Sequence, residues 1–483
     1  MSARPLPVAA PAAQGVDATR VLAFLDAVEA APGLEPHSLM ILRHGHLVAS
    51  GWWAPYTEHR PHLLYSLSKS FTATAAGIAA GEGLLDLDDT VLSYFPELDG
   101  DITDPRSRAM RVRHVAAMAT GHEDETWGRA RDHDRDDVVR GFLLVPPERE
   151  PGTVFAYNQP ATYTLGAIVQ RVTGQSLTAY LRPRLLDPLG VGGTAWLRDR
   201  SGREIGFSGL YAATDAVARL GELYLRDGVW QGERLLPEGW VADATRPHIT
   251  TDDAPAAWLA GDGLHGYGYQ FWRSRHGYRG DGAYGQFCLV LPGQDAVVAT
   301  TAAAENAQLL LDLAWEHLVP AFGPAPLTGR DADDSALARR LARLELPPAD
   351  GKPAPPEREQ DWDGAEFTPR DGTCPAQPGL TSVTVTRDAD GWTLVLTEGG
   401  HRTEAPLPRA GWGVTDGPPP IAVSGGWSDP GTLAADLAFL ETPHRLTLTC
   451  SLPERTFTAR WITTPLDGAP LRALRAPRQE RSA

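Results

Sequence analysis

Lysine is nearly missing from this chain of 483 residues: of 44 basic residues only two, Lys69 and Lys352, are lysine. Arginine cannot lose its proton at any accessible pH, whereas a lysine held in a tight site can have its pKa drawn toward neutrality and act as a base. The places where lysine is kept are therefore informative. Cysteine is scarce too. Cys288, Cys374 and Cys450 lie far apart without metal-ligand spacing, which argues against a disulfide framework or a structural zinc site and fits free thiols in a reducing compartment. No apolar run is long enough to span a bilayer, and residues 1–14 have neither the basic nor the continuous apolar stretch of a secretory leader. Clusters of positive charge are also lacking, with 61 acidic residues against 44 scattered basic ones. Neither nucleic acid nor a membrane is an expected partner, and the expected location is cytoplasmic.

Lys352 falls in a Pro/Gly-rich stretch and needs no special account. Lys69 closes the run Ser66-Leu67-Ser68-Lys69, and a helix starting there puts Ser66 and Lys69 on one face, a turn apart. Residues 66–81 are helical in pattern and built almost wholly of small and apolar types, so the helix should be buried at the centre of a domain. A serine and a lysine at the start of a buried helix are costly unless paired, which argues for a site. About ninety residues further on stands Tyr157-Asn158-Gln159. A phenol near a lysine ammonium can be held as, or move toward, phenolate, take the serine proton and pass it to a leaving group. Ser, Lys and Tyr make a nucleophile and base unit that needs no histidine.

At this length two domains are expected. The first, residues 16–322 after a flexible N-terminus of 1–15, reads as a helix capped by Asp17, a hairpin over 37–52, a helical middle, strands at 267–272, 285–291 and 296–301, and a closing helix over 307–318. One sheet built from both ends of the domain follows. Within the middle, residues 112–119 read as a helix, and 121–150 is the most charged loop, taken as a solvated excursion with a substrate-facing lid as the alternative. His122 in it lacks any HxxxH or HExxH context, and neither a metal nor a cofactor is expected. Residues 323–360 read as a linker with a helical stretch at 335–344. The texture of 361–467 is short β runs at roughly ten-residue intervals, as in a sandwich or barrel, and 468–483 reads as a flexible tail.

The serine, lysine and tyrosine motifs, together with the stretches 65–89, 151–190 and 267–301, make the chain resemble the penicillin-recognising serine hydrolases: class C β-lactamases, D,D-peptidases, D-aminopeptidases and related esterases. The resemblance implies an α/β (α+β) fold with a mixed antiparallel sheet and a helical subdomain. It implies that Ser66 attacks, with Lys69 and Tyr157 as general base and acid, and that the amides of Ser66 and Ala283 form the oxyanion hole. Two places depart from the family pattern. Gln159 stands where Tyr-x-Asn has asparagine, and Gly280-Asp281-Gly282 aligns with Lys-Thr-Gly or His-x-Gly without a cation in first place, Arg279 being adjacent. Gln159, Asp281, Gly282 and Tyr284 are the substrate-binding residues so implied, with Asp281 better suited to an amine than to a carboxylate. The C-terminal β unit resembles the lipocalin-like module appended to some of these hydrolases, in a structural or lid role. Three functions follow: a hydrolase of an ester, amide or D-amino-acid peptide bond in a small molecule or short peptide; an acyltransferase or peptide cyclase; and a non-catalytic penicillin-binding sensor. Retention of all three catalytic residues argues against the sensor, and water as the commoner acceptor puts hydrolysis first.

Overall fold

A computed structural model describes residues 5–252, 260–389 and 391–478. Its centre is a six-stranded sheet in the order His46–Trp52, Leu34–Arg43, Ala296–Ala304, Gln286–Leu291, Gly277–Gly282 and Trp272–Ser274, with every neighbouring pair antiparallel. The first two strands and the last four come from opposite ends of the domain, as the sequence predicts. The helix Ala18–Ala30, capped by the Asp17 side chain, packs on one face, and Thr214–Leu225 lies against the other.

The helix predicted over 66–81 is observed as Ser68–Gly81, entered through a tight turn at Tyr65–Leu67. Every residue from Ser68 to Ala79 is buried, and its hydroxyls have partners: Ser68 Oγ accepts from the Leu210 amide, Ser70 Oγ donates to Gln270 O and Thr72 Oγ1 to Gly206 O. Small residues are needed because the neighbours come so close. A Cβ at Gly77 would sit 2.2 Å from the Trp240 ring.

Several expectations are corrected. Residues 121–150 are not a solvated excursion. They fold into helices Trp127–His133 and Val138–Leu144, whose Ala130, Val139, Phe142 and Leu143 are buried, while the charges pair among themselves, as in Arg149 with Glu123 at 2.6 Å and Arg129 with Glu148 at 2.8 Å. The charge count hid the apolar face. The helix expected over 112–119 stops at Ala116. Residues 267–271 do not form a strand. Gln270 takes a left-handed φ of 61° and its side chain bonds Ala116 O and Thr162 Oγ1, so the chain folds back and the strand begins only at Trp272.

Segments expected to be loose are docked. Residues 5–15 are tied to the hairpin by Leu47 N donating to Pro7 O at 2.8 Å. The helix expected at 335–344 is Asp331–Leu341, and this linker straps the domain through buried Leu337, Leu344 and Leu346. The tail buries Leu471 and Leu474, and the Leu471 amide donates to Glu398 at 2.6 Å.

The C-terminal unit is a nine-stranded sheet running from His401–Leu407 at one edge to Gly413–Thr415 at the other. The two edges approach each other, so the sheet is barrel-like and nearly closed. Buried Trp362, Phe367, Trp427 and Phe457 belong to the apolar cluster that fills it. All three cysteines are buried and unpaired.

Candidate active site

Ser66 lies in the entry turn and Lys69 in the first turn of the buried helix, three positions on, and their side chains meet: Nζ is 3.0 Å from Ser66 Oγ. Lys69 is 1% exposed. Its other contacts are two carbonyl oxygens at 2.7 Å, Gln159 Oε1 and the backbone of Phe207. Burial holds its pKa well below the usual lysine value, and the nearby carboxylates of Glu125 and Asp281 oppose that shift. Among the described residues no carboxylate touches its amino group, which leaves desolvation as the largest influence.

Tyr157 is set by the turn before helix Gln159–Thr173, where Pro160 suits the first helical turn. Its hydroxyl hydrogen-bonds Ser66. Its ring stacks on Trp272 at 5.5 Å, and the Lys69 Nζ lies 4.8 Å from the ring centre. Burial pushes the phenol pKa up, as does the charge of Asp281, so the resting group is a neutral phenol.

Ser66, Lys69, Tyr157 and Gln159 are thus brought together. The strand Gly277–Gly282 runs against the same turn: a Cβ at Gly282 would lie 2.2 Å from Leu64 O, and one at Gly280 would lie 2.3 Å from Leu67 Cδ1. The two glycines of Gly280-Asp281-Gly282 therefore have a steric cause, close approach of the strand to the turn that holds Ser66. Asp281 and Tyr284 have other partners. Asp281 is paired with Arg279 at 2.7 Å, and Arg279 in turn donates to Ser274 Oγ and sits over the Trp272 ring. The adjacent arginine does not stand in for a free cation, and Asp281 does not offer an uncompensated charge. Tyr284 donates to Thr464 O at 2.6 Å. His122 is buried, held by Thr120 Oγ1 and Val145 O. Among the described residues no group of three or more His, Cys, Asp or Glu is arranged to hold a metal ion.

Ser66 opens into a cleft of about 760 Å³ lined also by Glu125, Trp127, Arg131, Asp136, Gln159, Phe207, Leu466 and Asp467. Sequence reasoning missed most of these. Glu125 and Trp127 lie in the charged segment for which a lid was the alternative reading, and the cleft favours that alternative. The Phe207 contact is a backbone carbonyl and carries no side-chain signal. Leu466 and Asp467 lie about four hundred residues from Ser66, and the docking of the C-terminal unit brings them in.

With this geometry in place, comparison with known proteins is decisive. The family model named Beta-lactamase matches residues 24–318, more than half of the chain. The chain belongs to the beta-lactamase family. It is accordingly an enzyme of the serine hydrolase type, with amide and ester hydrolases among its relatives. It is 27% identical over 283 residues to the 6-aminohexanoate-dimer hydrolase of Paenarthrobacter ureafaciens, covering 54% of this chain and 71% of that one. It is 27% identical over 208 residues to Esterase EstB of Burkholderia gladioli, covering 38% of this chain and about half, 53%, of the esterase. A solved structure from Bacillus anthracis, provisionally named a 6-aminohexanoate-dimer hydrolase, overlays with TM-score 0.50 at 22% identity, over 66% of this chain and 87% of the other, and bears out the fold. The family match ends at residue 318 and does not reach the C-terminal β unit.

Proposed function

We propose that this member of the family cleaves an amide or ester through an acyl-enzyme on Ser66, with Lys69 as the base and Tyr157 as the acid. The observation that carries this reading is the bonding of Lys69. Two of its three close neighbours, Gln159 Oε1 and Phe207 O, are carbonyl oxygens that only accept. Once Lys69 is neutral its two N–H groups stay with these carbonyls and its lone pair is left for the Ser66 hydroxyl, whose oxygen is 3.0 Å away. Burial favours that neutral form.

Ser66 Oγ forms a bond to the substrate carbonyl carbon as its proton passes to Lys69, and the amides of Ser66 and Ala283 receive the oxyanion. Collapse breaks the bond to the leaving amine or alcohol, which takes the Tyr157 proton. The phenolate left behind is matched by the Lys69 ammonium beside it. In deacylation the phenolate takes a proton from attacking water and Lys69 returns its own to Oγ, restoring the site. The names of the relatives put amides and esters in range, and a cleft of about 760 Å³ lined by apolar side chains and charges of both signs suits a short peptide or a small amide.

Intact-mass trapping with p-nitrophenyl esters, D-amino amides and penicillins, with and without an amine acceptor, tests this. The expected result is an adduct on Ser66 that water clears, absent in Ser66→Ala. An adduct cleared only by the amine would move the protein to acyl transfer, and one never cleared would make it a sensor.

A further inference from the structure

The two amides assigned to the oxyanion hole each adjoin a tyrosine. Tyr65 precedes Ser66 and Tyr284 follows Ala283, and both hold left-handed backbone, with φ of 48° and 68°. A non-glycine residue persists in that region only where its surroundings impose it. The rings of Tyr65 and Tyr284 pack edge to face at 5.7 Å. His444 of the C-terminal unit closes the triangle, 5.8 Å from one ring and 5.9 Å from the other.

Both hydroxyls end in the C-terminal unit. Tyr284 donates to Thr464 O at 2.6 Å, and the Tyr65 hydroxyl is 2.6 Å from His444 Nε2. The other nitrogen of His444, Nδ1, lies 2.9 Å from Thr463 O, which only accepts. Nδ1 therefore carries the proton and Nε2 accepts from Tyr65. Burial lowers the His444 pKa to about 4, so this neutral tautomer persists across physiological pH. The loop that holds the clamp, residues 463–467, continues into Leu466 and Asp467 at the lip of the cleft.

We propose that Tyr65 and Tyr284 are positioning residues through which the C-terminal β unit holds the oxyanion hole in shape. The unit is then a working part of the active site, gripping the nucleophile turn and the strand end that face each other across the reacting carbonyl. This inference rests on the acyl-enzyme reading above.

The test uses the full chain with Tyr65→Phe and Tyr284→Phe combined, which keeps both rings and removes both bonds. Single-turnover acylation by a p-nitrophenyl ester and by a fluorophosphonate is followed by intact mass. The expected result is acylation slowed about tenfold or more by both reagents, since loss of an oxyanion donor costs on the order of a hundredfold and a loosened donor less. In steady state kcat falls while KM stays within about twofold, because the interaction develops in the transition state. Wild-type rates in a folded double variant overturn the proposal, as does a change in KM alone. Absence of any Ser66 adduct in the wild-type protein overturns the acyl-enzyme reading and this inference with it. If the double variant does not fold, Tyr284→Phe alone, which spares the buried Tyr65 bond, gives the same comparison at smaller amplitude.

Discussion

Two buried basic side chains lie against the stacked Tyr157 and Trp272 rings, Lys69 on Tyr157 and Arg279 on Trp272, and they are treated in opposite ways. Lys69, 1% exposed, is given two neutral carbonyls and a hydroxyl. Arg279, 4% exposed, is given a carboxylate at 2.7 Å, a hydroxyl and an aromatic face. A carboxylate in contact would hold Lys69 charged, whereas carbonyls satisfy it without fixing its charge, so desolvation sets its protonation. The guanidinium cannot lose its proton in any case, and its pairing with Asp281 makes it a fixed, internally neutralised strut. Lys69 is thus left free to change its protonation state, and Arg279 is not.

Making the two sites alike should have the largest effect. Lys69→Arg puts a permanent positive charge where the proposed base stands, and acylation should fall by roughly 10²–10⁴-fold, as expected for loss of a general base. Rapid-quench intact mass measures it, and near-wild-type acylation would show that proton transfer is not the lysine's work.

Next in size is the approach of the strand to the nucleophile turn. At Gly282 an added methyl meets the backbone oxygen of Leu64, which cannot move aside, so Gly282→Ala should cost roughly 3 kcal/mol in denaturant unfolding. Gly280→Ala meets the rotatable end of Leu67 instead and should cost about 1 kcal/mol. Equal costs would mean that the strand is not pressed on the turn in the way described.

The smallest effect is electrostatic and has a sign. The Asp281 carboxylate raises the Lys69 pKa, and Arg279 offsets that carboxylate. Arg279→Met should therefore move the ascending limb of the pH–acylation profile upward by roughly half a unit, and Asp281→Asn should move it downward by a similar amount. Shifts in the same direction would refute the pairing. In the wild-type profile the rate rises as Lys69 loses its proton. It should not fall again below about pH 10, because the Tyr157 pKa is pushed above the ordinary phenol value.

The ease of reading this protein from its sequence follows the distance along the chain over which each contact is made. Ser66 and Lys69 are neighbours by helical geometry, and the small-residue helix declares its own burial, so both are legible locally. The central sheet follows from apolar runs near the two ends of the domain. The clearest misreading is the charged segment 121–150, where exposed ion pairs dominate the composition and buried Val139, Phe142 and Leu143 decide the fold. Residues 267–271 fail for a related reason. Their apolar character reports burial, while a side chain of Gln270 bonded to distant backbone decides the direction of the chain.

Local sequence carries the proposed catalytic unit, a serine and a scarce lysine three positions apart at the entry to a buried helix and a tyrosine of suitable chemistry, together with strands enough for one sheet. These depend on helical spacing, burial pattern and side-chain chemistry, all of which are local. Only the folded chain settles which acceptors surround Lys69 and that His444 and Thr464 grip the tyrosines beside the Ser66 turn. Each of these depends on where a carbonyl or a ring arrives from another part of the chain, up to 379 residues away for Tyr65 and His444. No local pattern specifies that arrival. Packing does.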